Sequence, residues 1–345
     1  MLACRLHGKG DLRVEDVPEE VLGRHQVNVR ISNGGICGSD LHYFHDGGFG
    51  PIRVREPIVL GHEIAGIIAE VGDPGCGLQP GDKVAVNPSQ PCFNCYFCNQ
   101  NAYQHCVDMR FLGSARTIPH VQGGFRQSLV IGAAQCVKIG SDTPLSHAAC
   151  AEPLAVCLHA ARQAGDLRGK RVLVTGSGPI GALCVAVAKL CGAQEIVATD
   201  IEDFPLEIAK RMGATQTVNV AKVRTGLADY QRPGAQADVV FECSAAAAAI
   251  AMAIDAVSPM GTIVQVGVAG SLEVPINAFV GKEIVFKGTH RFHEEFAEAV
   301  KVIDLRMVDV EPLLTHIFPL GESKVAFAQA NDRFDSMKVQ LSFDG

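Results

Sequence analysis

The chain has 345 residues, of which 48% are hydrophobic and 19% charged, and its net charge of −7 argues against a nucleic-acid surface, which needs clustered Lys and Arg. No apolar run of about 18 residues lacks a charge or a glycine, and residues 1–8 do not resemble a signal peptide, so we expect no transmembrane helix and no export. The 13 cysteines, an odd number, then indicate a reducing, cytoplasmic compartment with free thiols.

Short alternating stretches separated by Gly and Pro predict a small β-barrel-like domain at the start of the chain, with strands near residues 12–17, 27–31, 58–72 and 82–86. Within it lie the segments Cys37-Gly38-Ser39-Asp40-Leu41-His42 and Gly61-His62-Glu63. A thiol, an imidazole and carboxylates grouped in this way can hold Zn²⁺, which accepts sulfur, nitrogen and oxygen ligands. Taken singly, the cysteine would be read as a core residue and the histidine as a hydrogen-bonded structural residue.

A four-cysteine lobe, defined as residues 90–110, follows this domain. Its cysteines have the spacing C-x₂-C-x₂-C-x₇-C and are Cys92, Cys95, Cys98 and Cys106. Four thiolates this close predict a tetrahedral structural zinc site with no open position for chemistry. An iron–sulfur cluster is the chemical alternative, but the bacterial pattern has a shorter last gap followed by Pro, whereas Val107 follows here.

From about residue 146 the pattern changes to helices that alternate with buried strands. A helical region over residues 145–164 is predicted to break at Pro153. Strand 171–175 leads into Gly176-Ser177-Gly178-Pro179-Ile180-Gly181, a helix extends to about residue 191, and the next strand ends at Asp200. Strand, GxGxxG turn, helix and terminal acid together form the dinucleotide fingerprint, for which a purely structural glycine turn is the alternative.

The predicted cofactor site follows from the roles of these residues. The first glycine permits the tight turn, the second lets a pyrophosphate approach the backbone, and the third allows the helix to pack on the strand, while the helix N-terminus attracts phosphate. Asp200 is expected to accept hydrogen bonds from the ribose hydroxyls, and Glu202 and Asp203 to repel a 2′-phosphate, which predicts NAD over NADP. The predicted contacts are Gly176, Gly178, Pro179, Ile180, Gly181, Asp200 and Val266.

Further strands near residues 216–220, 237–242, 262–266 and 283–288, with an alanine-rich helix at 244–257, complete a predicted parallel sheet. These motifs, with Gly81-Asp82-Lys83-Val84, extend over essentially the whole chain, which resembles the zinc-dependent medium-chain dehydrogenases. The resemblance implies an α/β plus β fold: a GroES-like catalytic domain of residues 1–154 and 291–345, and an inserted Rossmann NAD-binding domain of residues 155–290. It also implies two zinc ions per subunit and a homotetramer or homodimer, with a contact near residues 272–286.

Within that family, Ala151-Glu152-Pro153-Leu154 resembles the polyol dehydrogenase branch, because alcohol dehydrogenases have a cysteine where Glu152 stands. The resemblance implies a catalytic zinc on Cys37 and His62, with Glu63, Glu152 and a water sharing the remaining coordination; which acid binds directly stays open. Cys150 is expected to pack in the core. Residues 111–115, 119–125 and 291–296 resemble members that oxidise L-idonate to 5-keto-D-gluconate more than those that oxidise sorbitol.

The expected mechanism uses zinc as a Lewis acid, so that a bound alcohol becomes an alkoxide and hydride passes from its carbon to the nicotinamide. Ser39 is expected to take the proton, His42 is implied by the resemblance to relay it through the cofactor ribose, and Asp40 is expected to orient His62. Turn chemistry is the alternative role for Ser39 and Asp40.

Arg291 is predicted to bind the carboxylate of a sugar acid, supported by Arg116, His120 or His293, with a surface ion pair or a position near the cofactor as alternatives. Tyr43 is either a substrate contact or a packing residue. A neutral-polyol dehydrogenase is the nearest alternative function. A non-catalytic NAD-binding protein is disfavoured, because the zinc ligands are all present.

Overall fold

The computed structural model describes residues 1–223, 227–268, 270, 271 and 273–343. Within these ranges it confirms the predicted fold class, a β-rich unit combined with a parallel α/β unit. None of the helices in the described ranges has the length and apolar character that would let it span a membrane.

The β-rich unit begins with strands that alternate buried and exposed side chains, as expected for sheets with one face on a core. These strands are β1 (Leu2–Gly8), β2 (Asp11–Asp16), β3 (Gln26–Gly35), β4 (Gly48–Phe49), β5 (Ile52–Arg53), β6 (Ile58–Val59), β7 (Glu63–Val71), β8 (Lys83–Val86), β9 (Ser89–Gln90), β10 (Arg110–Phe111), β11 (Ser128–Gly132) and β12 (Cys136–Lys138). Because β9 and β10 pair with each other on either side of the four-cysteine lobe, they join the lobe to the rest of the unit.

The α/β unit is a parallel sheet whose strands are rich in buried Val, Ile and Leu, as expected when helices cover both faces. Its strands are β13 (Arg171–Thr175), β14 (Glu195–Asp200), β15 (Gln216–Asn219), β16 (Ala237–Glu242), β17 (Val257–Gln265) and β18 (Val285–Gly288). Their spatial order is β15-β14-β13-β16-β17-β18. All neighbours are parallel, and successive strands are added on one side of β13 up to β15 and on its other side from β16 onward. Ligands of such sheets bind at the carboxyl ends of the strands beside this switch point.

Two late strands, β19 (Leu314–Pro319) and β20 (Lys338–Ser342), return to the β-rich unit. Its largest sheet has the order β12-β8-β7-β3-β20-β19, with β11 also paired to β3. Gly35 of β3 pairs with Glu63 of β7 on one side and with Gln340 of β20 on the other. The sheet therefore brings the end of the chain beside the residues that follow β3 and precede β7.

The helices are α1 (Gly38–Asp46), α2 (Tyr96–Asn99), α3 (Leu145–Ala148), α4 (Ala151–Ala164), α5 (Pro179–Leu190), α6 (Asp203–Met212), α7 (Ala247–Ala256), α8 (Ile276–Lys282), α9 (Glu295–Asp304) and α10 (Ser323–Ala330). Single 3₁₀ turns lie at Pro74–Cys76, Tyr103–His105, Ala133–Gln135, Asp229–Gln231, Glu311–Leu313 and Leu320–Glu322. The predicted break at Pro153 is wrong, since α4 passes through it and the interruption lies at residues 149–150. Pro153 is the third residue of α4, where a backbone N–H would have no partner within the helix.

Candidate metal, cofactor and substrate sites

The predicted catalytic metal ligands come together where β3, β7 and β20 meet. Cys37, His62 and Glu63 each offer a ligand atom within 4.8 Å of the others. Lys338 Nζ donates a hydrogen bond to Glu63 Oε1 at 2.8 Å, while Glu63 Oε2 is buried and has no hydrogen-bond partner within the described ranges. Because a buried carboxylate oxygen without a partner is costly, the donor set fits a zinc ion that this oxygen would help to hold.

The absence of a side chain at Gly35 makes room for the Glu63 carboxylate. A Cβ atom on Gly35 would lie 2.1 Å from Glu63 Oε2, so any larger residue there would displace the acid. Gly35 therefore serves the metal site from the neighbouring strand.

The electrostatics of the group favour a cation. Burial alone would lower the pKa of His62, but the charges of Asp40 and Cys37 outweigh it and raise the pKa to about 10. Burial likewise opposes the charge of Lys338, yet Glu63 and Cys37 hold the pKa of that lysine above its ordinary value. Positive charge is thus strongly stabilised here, and a divalent metal would satisfy the same negative groups.

Glu152 lies in the first turn of α4 and outside the 4.8 Å group. Burial raises its pKa to about 7, and the charge of His62 opposes this rise. The charges of Glu63 and Arg291 also act on it, so its carboxyl lies within electrostatic range of both. Cys150 is buried with its Sγ 3.8 Å from the carbonyl oxygen of Ser146, which places it in the core as expected.

Asp40 is fully buried and joins the two segments that carry metal ligands. Its carboxylate accepts hydrogen bonds from the backbone N–H groups of Cys37 (3.0 Å) and Gly61 (3.3 Å). His62 Nδ1 lies 3.8 Å from Asp40 Oδ1, which is too long for a hydrogen bond. Asp40 therefore acts on the imidazole through its charge, and on the ligand geometry through the backbone.

Helix α1 carries the other predicted catalytic residues directly after Cys37. Ser39 is half-buried and His42 exposed, and their i, i+3 spacing puts them on one face of the helix. His42 Nδ1 lies 3.0 Å from Asp46 Oδ2. Tyr43 is buried and its hydroxyl oxygen accepts a hydrogen bond from the backbone N–H of Ala115 at 3.2 Å, so it packs between α1 and the segment after β10.

The four-cysteine lobe has the geometry of a zinc site. The Sγ atoms of Cys92 and Cys98 are 4.0 Å apart and those of Cys95 and Cys98 are 3.6 Å apart. A tetrahedron with Zn–S distances of about 2.3 Å has S–S edges of roughly 3.8 Å. Backbone N–H groups of Cys98 and Val107 lower the pKa of Cys95 to about 6, which favours the thiolate that a metal needs.

The glycine turn after β13 lies at the switch point of the sheet. Gly176 has φ +81° and a Cβ there would meet Ser244 Cβ at 2.7 Å, while a Cβ on Gly181 would meet the Gly176 oxygen at 1.8 Å. A Cβ on Gly178 would meet nothing within 4 Å. The first and third glycines are thus needed by the fold. The second faces open space where a pyrophosphate can approach the first turn of α5, which contains Pro179 and Ile180.

Asp200 closes this crevice at the end of β14. Its carboxylate accepts backbone hydrogen bonds from Ser177 (2.7 Å), Ile201 (2.8 Å) and Glu202 (3.1 Å). An ionised carboxylate has about four acceptor positions, so about one remains for a ribose hydroxyl. The charge expected from Asp203 is compensated by its ion pair with Lys222, which leaves Asp200 and Glu202 as the acids of this corner.

Val266 lies at a neighbouring strand end of the same sheet. Its backbone N–H donates to the carbonyl oxygen of Glu242 at 2.8 Å, which fixes Val266 directly after β17. It therefore borders the side of the sheet on which the glycine turn opens.

Arg291 lies beside the metal group. Its guanidinium carbon is 3.9 Å from the centroid of the Phe111 ring, and that ring is 5.4 Å from the ring of His62. Burial lowers the pKa of Arg291, with Glu152 opposing the effect and Arg116 adding to it. No carboxylate of the described residues forms an ion pair or hydrogen bond with Arg291 or Arg116, so two guanidinium groups remain available to an anion.

The two histidines suggested beside Arg291 differ in how far their ring nitrogens are engaged. His120 Nε2 accepts a hydrogen bond from the backbone N–H of Arg55 at 3.0 Å, and its Nδ1 lies 2.6 Å from the carbonyl oxygen of Thr117. The ring of His293 lies 4.0 Å from that of Tyr103. Among the described residues, Arg116 therefore keeps its guanidinium free of ion pairs, and His293 Nδ1 is buried without a hydrogen-bond partner.

Two residues of the site escaped the sequence analysis as functional groups. Lys338, the ion-pair partner of Glu63, is 275 positions away from it, and only its place among apolar neighbours in a strand signalled a buried lysine. Phe111 lies in a segment that carries the family resemblance, but its place between the Arg291 guanidinium and the His62 ring depends on tertiary structure.

Comparison with known proteins bears on these sites. Residues 23–141 match the alcohol dehydrogenase GroES-like domain and residues 179–304 match the zinc-binding dehydrogenase domain. An L-idonate 5-dehydrogenase (NAD(P)(+)) of Escherichia coli (strain K12) is 39% identical over 316 residues, which are 91% of each chain. The chain belongs to the zinc-binding dehydrogenases. It is therefore a zinc- and NAD(P)-dependent oxidoreductase, and the predicted fold, family and cofactor classes are confirmed.

A solved structure and one further relative match nearly the whole chain. The crystal structure of L-idonate 5-dehydrogenase from Escherichia coli str. K-12 substr. MG1655 has a TM-score of 0.95 and 37% identity, and the match covers 99% of this chain and 98% of that one. A sorbitol dehydrogenase of Pongo abelii is 35% identical over 349 residues, which cover 99% of this chain and 96% of the relative. Sugar-acid and polyol dehydrogenases are thus both among the relatives.

Proposed function

We propose that this dehydrogenase oxidises the C5 hydroxyl of L-idonate, a sugar acid, to give 5-keto-D-gluconate, with NAD as the hydride acceptor. The main support is Arg291, a guanidinium stacked on Phe111 beside the metal group, without a carboxylate partner in the described part of the chain. Guanidinium and carboxylate pair through two parallel hydrogen bonds, and a neutral polyol has no such group to offer. The name of the Escherichia coli relative points to the same substrate.

We assign the catalytic zinc to Cys37, His62 and Glu63, because these three meet at ligand distance, and we place Glu152 on the remaining side of the site. When bound, zinc supplies Lewis acidity that lowers the pKa of an alcohol group. Lys338 holds Glu63 in place and offsets its charge at 2.8 Å. Asp40 keeps the two ligand-bearing segments together.

The alcohol proton leaves along α1. Ser39, half-buried beside Cys37, takes the alcohol proton as it gives up its own hydroxyl proton, and His42 on the same helix face receives a proton and releases it to solvent. Asp46 engages His42 Nδ1 and leaves Nε2 available for this exchange. The Gly176–Gly181 turn, Asp200 and Val266 would hold the dinucleotide, which would supply the hydride acceptor when bound.

We propose that the two domains supply different parts of the active site. Residues 1–154 and 291–345 supply the metal and substrate groups, and residues 155–290 supply the cofactor groups, which agrees with the membership of the two large sheets. We also propose a cytoplasmic homotetramer or homodimer with a contact at edge strand β18, where Val285 and Phe286 are exposed together with Ile276 and Val280 of α8. Residue 272, at the start of the predicted contact, lies outside the described residues.

A second candidate is a neutral-polyol dehydrogenase, favoured by Glu152 and by the sorbitol dehydrogenase relatives. Initial rates with L-idonate, sorbitol and xylitol, each with NAD and with NADP, decide between the two. We expect the highest kcat/KM for L-idonate with NAD. A higher kcat/KM for sorbitol or xylitol would reject the sugar-acid assignment, and a preference for NADP would reject the role given to Asp200 and Glu202.

A further inference from the structure

The segment that carries Arg291 (residues 289–293) connects β18 to α9 and has an unusual backbone. Arg291 has φ +52°, in the left-handed region that residues with a side chain rarely adopt. Such a conformation is costly for a residue with a side chain, so contacts around Arg291 help to hold it.

Three aromatic rings from the four-cysteine lobe and its border contact the segment. Tyr103 lies 4.0 Å from the ring of His293, and His105 stacks on His290 at 5.8 Å with 25° between the planes. Phe111, at the lobe border, lies 3.9 Å below the guanidinium of Arg291. The lobe therefore contacts the segment on both sides of Arg291 and at Arg291 itself.

The position of these rings depends on the cysteines. Tyr103–His105 is a single 3₁₀ turn, and Cys106, which follows it, donates its backbone N–H to the carbonyl oxygen of Tyr103 at 2.9 Å. Cys106 Sγ in turn accepts a hydrogen bond from the backbone N–H of Cys92 at 3.2 Å. Tyr103 and Phe111 pack in one small core with Cys98 and Cys106, so a metal on the cysteines fixes the turn that presents the rings.

The contact of Tyr103 with His293 is made by the ring and not by the hydroxyl. The hydroxyl donates to Asn101 Oδ1 at 3.1 Å, within the lobe. On its other side, His293 is held by its backbone N–H, which donates to Glu295 Oε2 at 2.9 Å. His293 is thus clamped between the lobe and the start of α9.

We propose that the four-cysteine lobe positions the substrate-binding arginine: Tyr103, acting through His293, and His105, acting through His290, hold residues 289–293 so that Arg291 faces the carboxylate of the substrate. This inference rests on the proposed function, since it needs Arg291 to bind a carboxylate. It gives the lobe a role in substrate specificity in addition to the structural role of its zinc site. Tyr103 is a positioning residue, because it touches the segment and not the substrate.

The test compares Tyr103→Ala and Tyr103→Phe in the full-length holoenzyme. We expect Tyr103→Ala to raise KM for L-idonate by about tenfold, since misplacing a binding group by a fraction of an ångström weakens its contacts, while kcat and the KM for sorbitol change less than about twofold. Calorimetric titration of the NADH-bound enzyme with L-idonate should show the same loss of affinity. Tyr103→Phe keeps the ring and should keep wild-type values, with zinc content unchanged in both variants.

A second variant covers the case in which Tyr103→Ala loses zinc. His293→Ala removes the same contact from the other side and leaves the lobe intact, so it should raise KM for L-idonate selectively at full zinc content. Equal changes for both substrates, or no change in either variant, would overturn the positioning role. If Arg291→Met leaves the preference for L-idonate over sorbitol unchanged, the proposed function fails. If Arg291→Met lowers that preference but the Tyr103 and His293 variants leave it unchanged, only the positioning role fails.

Discussion

Replacing Arg291 by Met should separate acid recognition from catalysis. The guanidinium stacks on Phe111 and has no carboxylate partner among the described residues, so its removal breaks no internal ion pair. A charged hydrogen-bonded contact contributes about 1.5–3 kcal/mol, which corresponds to roughly a 10- to 150-fold loss. Met keeps apolar contact with the Phe111 ring, and the loss should therefore fall on substrates with a carboxylate.

The assay is kcat/KM for L-idonate and for sorbitol, measured with saturating NAD. We expect the ratio of the two values to fall by about 10- to 150-fold, with sorbitol changing by less than about threefold. Arg306→Met is the matched control, because Arg306 is an exposed arginine with φ +54° and no role in the site. Equal weakening of both substrates by Arg291→Met would refute carboxylate recognition.

Two further predictions concern the metal and the pH response. Glu63→Gln should lower the zinc content of the purified enzyme toward one ion per subunit, whereas Glu152→Gln should keep two. If metal analysis found the reverse, Glu152 rather than Glu63 would be assigned as the direct zinc ligand. Burial would raise the pKa of Glu295, but hydrogen bonds from His159 and backbone N–H groups outweigh it and bring the pKa to about 2. Its folded-state pKa is lowered, so Glu295 contributes about 2–3 kcal/mol above pH 4.5, which is lost as the pH falls toward 2. Urea unfolding should show Glu295→Gln destabilised at pH 7, with the difference from wild type shrinking at acid pH, whereas Glu298→Gln on the exposed face of the same helix should differ little; a pH-independent difference would contradict the lowered pKa.

The outcome for each zinc site shows how far sequence reasoning extends. The four cysteines lie within 15 residues, and their spacing predicts a lobe in which the structure gives S–S distances of 4.0 and 3.6 Å, close to the edge length of a zinc tetrahedron. At the other site, sequence supplied the candidates Cys37, His62, Glu63 and Glu152, but could not rank the two acids. The proposed ranking rests on the sheet, which brings Glu63 within 4.8 Å of Cys37 and His62, a group that does not include Glu152.

The sequence by itself determined what neighbouring residues decide: the strand, turn and helix around Gly176, the thiol spacing of the lobe, and the order of βα units. In each, the chain connects the participating groups over a few residues, so local spacing fixes their geometry. Only the tertiary structure decided that Lys338 neutralises Glu63, that Pro153 lies harmlessly in the first turn of α4, and that Phe111 joins Arg291 to His62. The contacts of Lys338 and Phe111 join residues far apart in the chain, because sheet register and packing between the units, rather than spacing, bring them together. The start of α4 is a local feature, but packing rather than the proline sets it.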